Sequence, residues 1–188
     1  MSKKKQSKKP IKTIIVNLIG GPGVGKSILA SDLFSAMKRK GISCEISPEY
    51  IKRKLREKAE KVVLNQIYIF AKQQFQLFAT IGDVQVIITD SPFILCSIYD
   101  RNNCEIFKKL VVKEYKKYEN LTYVVERDPK VPYEQEGRYQ DIKGAKKVDK
   151  KVKKFLHEND IEYKTVVGIG KKSRKSIVAD IKELIKNG

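Results

Sequence analysis

Gly20-Gly21-Pro22-Gly23-Val24-Gly25-Lys26-Ser27 decides how this chain is read. The stretch matches the pattern GxxxxGK[ST] in full. Glycines let a backbone wrap around phosphate groups with its N–H groups turned inward, where a Cβ would crowd the anion. The lysine then reaches the outer phosphates and the hydroxyl of Ser27 serves a Mg²⁺ ion. Upstream lies Ile14-Ile15-Val16-Asn17-Leu18-Ile19, apolar and of strand length. Downstream, Ser27 to Lys40 carries Leu29, Leu33, Ala36 and Met37 at helical spacing, with Gly41 as the stop. A loop of this composition between a buried strand and an amphipathic helix binds phosphate. Backbone of Gly21, Gly23, Val24, Gly25, Lys26, Ser27 and Ile28 is expected to hold ATP or GTP.

Outward from the loop, apolar runs alternate with longer amphipathic stretches. Strands are expected at Ile14–Ile19, Ile42–Ser47, Val84–Thr89, Leu121–Val125 and Ile161–Val167. Between them the spacing predicts a charged helix near Ile51–Lys61 and an apolar one over Val62–Ile81, separate or continuous. Further helices are expected at Phe93–Tyr99, Glu105–Tyr118, about Asp141–Glu158 and Ser173–Lys186. Continuous β-branched strands separated by helices give a five-stranded parallel sheet covered on both faces. That is a doubly wound α/β fold, which binds its ligand at the carboxyl ends of the strands.

The 188 residues suit one domain, expected over 12–188, after a basic arm over 1–11 that is expected to be disordered. Charge is the unusual feature: 40 Lys+Arg against 22 Asp+Glu give +18, and six lysines fall in the first twelve residues. Such a field attracts nucleotides, nucleic acid and acidic surfaces alike, so it does not choose among them. Cys44, Cys96 and Cys104 are odd in number and lack CxxC spacing, which points to a reducing compartment without disulfides or zinc. No apolar run approaches a bilayer span, and the charged N-terminus lacks the apolar core of a secretory signal. A cytoplasmic protein is expected.

In the predicted sheet, the strand ends bring Glu49, Asp90 and Arg127 to the same crevice as the loop. Asp90 closes an apolar strand, where a carboxylate needs compensation by a cation or a reacting hydroxyl. It is a candidate for orienting Mg²⁺ or for taking a proton from a substrate; Asp-Ser-Pro is also a good helix start. Glu49, in Ser47-Pro48-Glu49-Tyr50, suits a sugar hydroxyl or the same base role. Gln66, Phe70, Gln73 and Leu77 share one helical stripe, in which a ring flanked by amides suits a nucleobase; a glutamine-rich amphipathic helix gives the same pattern. Arg127 and Arg138 bracket an irregular segment with Pro129, Pro132 and Gly137, the composition of a lid over 127–140 that closes on a transferring phosphoryl group. His157 and the pairs Lys150-Lys151 and Lys153-Lys154 are expected on a solvated helix face, where the lysines could also guide an anionic polymer.

Taken together, these pieces resemble the P-loop kinase-like ATPase domains of many phage proteins and of the nicotinamide riboside kinase part of bacterial NAD-biosynthesis regulators. Gly20–Ser27, Pro48-Glu49-Tyr50, Asn65-Gln66 with Gln73, Thr89-Asp90-Ser91-Pro92 and Gly137-Arg138-Tyr139-Gln140 carry the likeness, in the family's order. It implies a nucleoside- or nucleotide-kinase-like core working in a cytoplasm, that of the host for a phage-encoded chain. Lys26 and Ser27 would serve phosphates and Mg²⁺, Asp90 would lie by the acceptor, and Arg127 and Arg138 would form the lid. The Asp-Arg pair that many nucleotide kinases carry after the third strand is Asp90-Ser91 here, which favours a nucleoside-like acceptor over a monophosphate. Two alternatives stand beside a small-molecule kinase: a kinase acting on DNA or RNA, and an NTP-binding switch without catalysis.

Overall fold

A computed structural model describes residues 11–47, 59–133 and 141–187, with Tyr50, Lys54 and Glu57 between them. Five strands, β1 (Ile14–Ile19), β2 (Cys44–Ser47), β3 (Val86–Thr89), β4 (Glu119–Glu126) and β5 (Lys164–Val167), form one sheet in the order β2-β3-β1-β4-β5. Every pairing is parallel, as the unbroken apolar runs predict. Seven helices are seen among the described residues: α1 (Lys26–Lys38), α2 (Glu60–Leu64), α3 (Gln66–Phe78), α4 (Leu95–Tyr99), α5 (Glu105–Tyr115), α6 (Ile142–Glu158) and α7 (Lys171–Asn187).

The pleat of β1 explains why both faces are covered. Successive side chains point to opposite faces. Ile14, Val16 and Leu18 pack with Val86, Ile88, Tyr123 and Val166 under α1 and α7, joined by Leu29, Leu33, Ile177 and Ile181. Ile15 and Ile19 turn the other way, with Ile87 and Val124, toward α3–α6 through Ile69, Phe70, Phe107, Val152 and Leu156. Neither face can be left to water, so the sheet needs helices on both. Truncating a fully buried residue such as Leu33 or Ile88 to alanine would cost about 2–5 kcal/mol.

Several element ends differ from the sequence expectations. β2, β3 and β5 begin later than expected: regular ladder pairing starts at Cys44, Val86 and Lys164, and Val84 forms an isolated bridge with Ile81. The apolar helix is broken: α2 ends at Leu64, and Asn65 restarts the chain as α3 by accepting a hydrogen bond on its Oδ1 from Tyr68 N at 3.0 Å. The charged helix near 51–61 lies largely outside the described residues. Asp141 caps α6 by accepting from Gly144 N at 2.7 Å. No helix among the described residues is long and apolar enough to cross a membrane. Cys44 and Cys96 are buried free thiols and Cys104 is an exposed one.

Because all five strands run the same way, their carboxyl ends share one edge of the sheet. The turns after Ile19, Thr89, Glu126 and Val167 converge there, around the start of α1.

Candidate active site

The glycine-rich loop leaves the central strand β1 and enters α1 directly. Gly23 and Gly25 take left-handed backbone angles, φ 81° and 86°. Gly25 is also the N-cap of α1 and supplies no side-chain cap, and the first turn holds no acidic residue. The opening N–H groups and the positive end of the helix dipole are thus left for an anion. Space is as strict as conformation. A Cβ on Gly25 would lie 2.3 Å from Ile169 Cγ2, and one on Gly20 would lie 2.8 Å from Val125 O. Val24 is buried, so only its backbone faces a ligand, whereas Ile28 is exposed.

Lys26 and Ser27, the two polar side chains of the loop, have separate partners. Lys26 Nζ donates to Gly20 O and Gly21 O, both at 2.8 Å, which folds the cation back over the loop. Ser27 Oγ donates to Asp90 Oδ2 at 2.5 Å, across from the first turn of α1 to the end of β3. Asp90 is buried, and hydroxyl and carboxylate oxygens are the hard donors Mg²⁺ accepts beside nucleotide phosphates. The pair therefore fits such an ion. Asp90 is drawn here to the loop rather than into capping the short helix α4.

The amide stripe of α3 faces inward as its spacing predicts: Gln66, Phe70, Gln73 and Leu77 are all buried. Its members differ in what they are able to do. Gln73 Nε2 donates to Ser91 O and Ser91 Oγ, each at 3.1 Å, and its Oε1 accepts from Cys96 Sγ at 3.3 Å. That amide is committed to the turn following Asp90. Phe70 meets Phe93 and Phe107 edge-on, with centroids 5.4 and 5.7 Å away. Gln66 Nε2 donates to Val63 O at 2.8 Å, while its buried Oε1 has no hydrogen-bond partner. A buried acceptor without a donor calls for one.

Arg127 departs from the expectation of an arginine on a movable flap. Its Nε donates to Asp149 Oδ2 at 2.8 Å and its Nη2 to Pro22 O at 2.7 Å, and Tyr133 lies 5.4 Å below the guanidinium. The arginine is pinned against the phosphate loop because a carboxylate from α6 reaches it. Glu49 and Arg138 lie outside the described residues. His157 and the paired lysines of α6 are exposed, as expected; Lys153 donates to Glu126 Oε1 at 2.5 Å.

Sequence reasoning missed Asp149. The available signal was an isolated acid among seven lysines of α6 (Lys143, Lys146, Lys147, Lys150, Lys151, Lys153 and Lys154), sharing an arc with the apolar residues.

With this geometry in hand, a family model described as an AAA domain matches residues 15–172, nearly the whole span from β1 into α7. The chain belongs to the AAA_28 family. Its fold is that of the P-loop kinases. A thymidylate kinase from Ehrlichia chaffeensis superposes with a TM-score of 0.59 at 11% identity, over 93% of this chain and 99% of that one. A deoxyadenosine kinase from M. mycoides with bound dATP gives a TM-score of 0.53 at 17% identity, over 88% and 97%. No match was found among curated proteins. AAA_28 membership and the two superpositions show a P-loop, kinase-like fold and leave the activity and any acceptor open.

Proposed function

We propose that the protein moves the γ-phosphate of ATP or GTP to a hydroxyl of a nucleoside or nucleotide. The contact between Ser27 Oγ and Asp90 Oδ2 carries this reading, because it sets a carboxylate beside the loop where donor and acceptor must meet. The acceptor oxygen attacks the γ-phosphorus, the bond to the β–γ bridging oxygen breaks, and the acceptor's proton passes to a carboxylate as the nucleoside diphosphate leaves. Asp90 and Glu49 are the two candidates for that base. Lys26 and the loop N–H groups hold the phosphates, and Arg127 adds positive charge at the loop. Arg138 is the candidate for a lid arginine that closes on the transferring phosphoryl group. Bound Mg²⁺, held by Ser27 and Asp90, would supply charge neutralisation on the phosphate oxygens. Positioning and neutralisation provide most of the rate in such transfers, so no covalent intermediate is needed.

For the acceptor, the unpartnered Gln66 Oε1 suits a donor on a base edge, with Phe70 giving an apolar wall. Ser91 in place of an arginine after Asp90 favours an uncharged, nucleoside-like molecule. The two solved kinases are named for a nucleotide and a nucleoside, and nicotinamide riboside is of the same class. Transfer of labelled γ-phosphate to a panel of nucleosides, monophosphates, nicotinamide riboside and DNA tests the assignment.

One observation favours a second reading, with a nucleic-acid acceptor. Lys143, Lys146, Lys147, Lys150, Lys151 and Lys154 are exposed at spacings of three and four, so they form one face of α6. Among the described residues only Lys154 of these six is in an ion pair, with Glu158. Binding of single-stranded DNA that falls steeply with salt and weakens when Lys147, Lys150 and Lys151 become glutamine would favour this reading. Binding of DNA that ignores both would remove it.

A further inference from the structure

We infer that Asp149 is a positioning residue for the nucleotide site, fixing Arg127 and the first turn of the phosphate loop as one unit. The inference rests on the proposed nucleotide-binding role of that loop.

Both carboxylate oxygens of Asp149 are engaged. Oδ1 accepts from Gly21 N at 2.7 Å and Oδ2 from Arg127 Nε at 2.8 Å. Arg127 Nη2 closes the ring onto Pro22 O at 2.7 Å. Three segments distant in sequence, the loop, the residue after β4 and the second turn of α6, are thereby tied together. The approach is close enough to dictate a residue. A Cβ on Gly21 would lie 2.5 Å from Asp149 Oδ1, 2.7 Å from Ala145 O and 3.0 Å from Arg127 Nη2. Gly21 occupies a position where GxxxxGK[ST] accepts any residue. Glycine is required here by α6, not by phosphate.

The choice of a carboxylate also needs a reason. A negative charge beside a triphosphate is adverse unless a cation matches it, and Arg127 supplies the match. Asparagine could still accept from Gly21 N, but its NH₂ would then face the Arg127 Nε–H, donor against donor. Only the carboxylate serves both partners. With Nε and Nη2 held and the Tyr133 ring beneath, the guanidinium has one orientation relative to the loop. A planar cation fixed in advance binds an anion without first losing side-chain freedom.

The test is titration of a fluorescent ATP analogue with Mg²⁺ into full-length wild type and variants, beside thermal unfolding of each. Asp149→Asn and Arg127→Ala should each weaken binding, by roughly tenfold to a hundredfold, as expected when a charged hydrogen bond is lost. The double variant should be no weaker than the worse single one, because the two residues act as a unit. Arg127→Lys, which keeps the charge but not the two-point hold, should weaken binding like alanine and does not depend on Asp149→Asn folding. Wild-type affinity in Arg127→Lys, unchanged or tighter binding in a folded Asp149→Asn, or losses that multiply in the double variant would overturn the inference. Lys26→Ala separates the two levels. If it binds like wild type, the nucleotide reading itself fails. If it loses binding while the Asp149 and Arg127 variants do not, only the positioning role fails.

Discussion

Ser27 Oγ and Asp90 Oδ2 stand 2.5 Å apart, joining the first turn of α1 to the end of β3. The two residues are separated by 63 positions in the chain, and only the parallel pairing of β1 with β3 brings them together. The pairing Asn17↔Thr89 sets the register of that contact. A strand slipped by one residue would turn Asp90 to the opposite face.

Asp90→Asn keeps shape and a hydrogen-bond acceptor for Ser27 but removes the charge. Nucleotide affinity should stay within a few-fold of wild type, while phosphate transfer falls by roughly a hundredfold or more. Affinity from titration and single-turnover rates separate the two effects. Equal losses in binding and transfer would make Asp90 a structural residue.

The two glutamines of α3 should behave differently although they share a stripe. Gln73→Ala leaves Ser91 O, Ser91 Oγ and Cys96 Sγ without their partner and should cost about 1–3 kcal/mol of stability. Gln66→Ala removes an acceptor that is unpartnered already and one hydrogen bond to Val63 O, so it should raise the KM for the acceptor and cost less stability than Gln73→Ala, about 1 kcal/mol. Chemical denaturation of both variants, followed by acceptor kinetics, checks the contrast.

Gly21→Ala should fail for a reason the loop pattern does not contain. Its Cβ would meet Asp149, the α6 backbone and Arg127 together, and backbone cannot swing aside as a flexible side chain can. A folded protein with at least tenfold weaker nucleotide binding is expected, matching a lost charged hydrogen bond. Wild-type affinity would show that α6 yields easily.

Alkali should destabilise the fold. Burial pushes the Cys44 thiol up to about 11 from 9.0 and drives Cys96 higher still, and it raises the hydroxyls of Tyr115 and Tyr123. A raised folded-state pKa means that the fold holds the neutral form. The contribution is fully present below the unfolded value near 9.0 and is lost as pH rises through about 11. Melting temperature should fall across that window. In the native protein, Cys104 should react with a thiol reagent well before Cys44 and Cys96, because it alone of the three is exposed.

Much of this was legible in the residues. β1, the loop and α1 follow from apolar runs and glycine placement, and parallel pairing follows from strands that are apolar without alternation. Asp90 stands out in the sequence because a carboxylate closing an apolar strand needs an explanation, and the fold sets it against Ser27. What escaped the sequence is tertiary in origin. The stripe's spacing does not distinguish Gln66 from Gln73; the position of Ser91 and Cys96 engages both ends of the Gln73 amide, while Gln66 bonds Val63 O through Nε2 alone. Arg127 was expected on a flap because prolines follow it, whereas Asp149, 22 residues later, pins it to the loop. The break at Asn65 is set by one capping side chain inside a continuous apolar pattern.

The central claim is that a γ-phosphate moves to a small hydroxyl acceptor. The most direct measurement incubates the protein with γ-labelled ATP, Mg²⁺ and each member of the nucleoside, monophosphate, nicotinamide riboside and DNA panel, then counts ADP and labelled product. Equal amounts of ADP and one labelled small acceptor, both lost in Lys26→Ala, are the predicted result. Label released only as free phosphate, or no turnover with any acceptor, would contradict it.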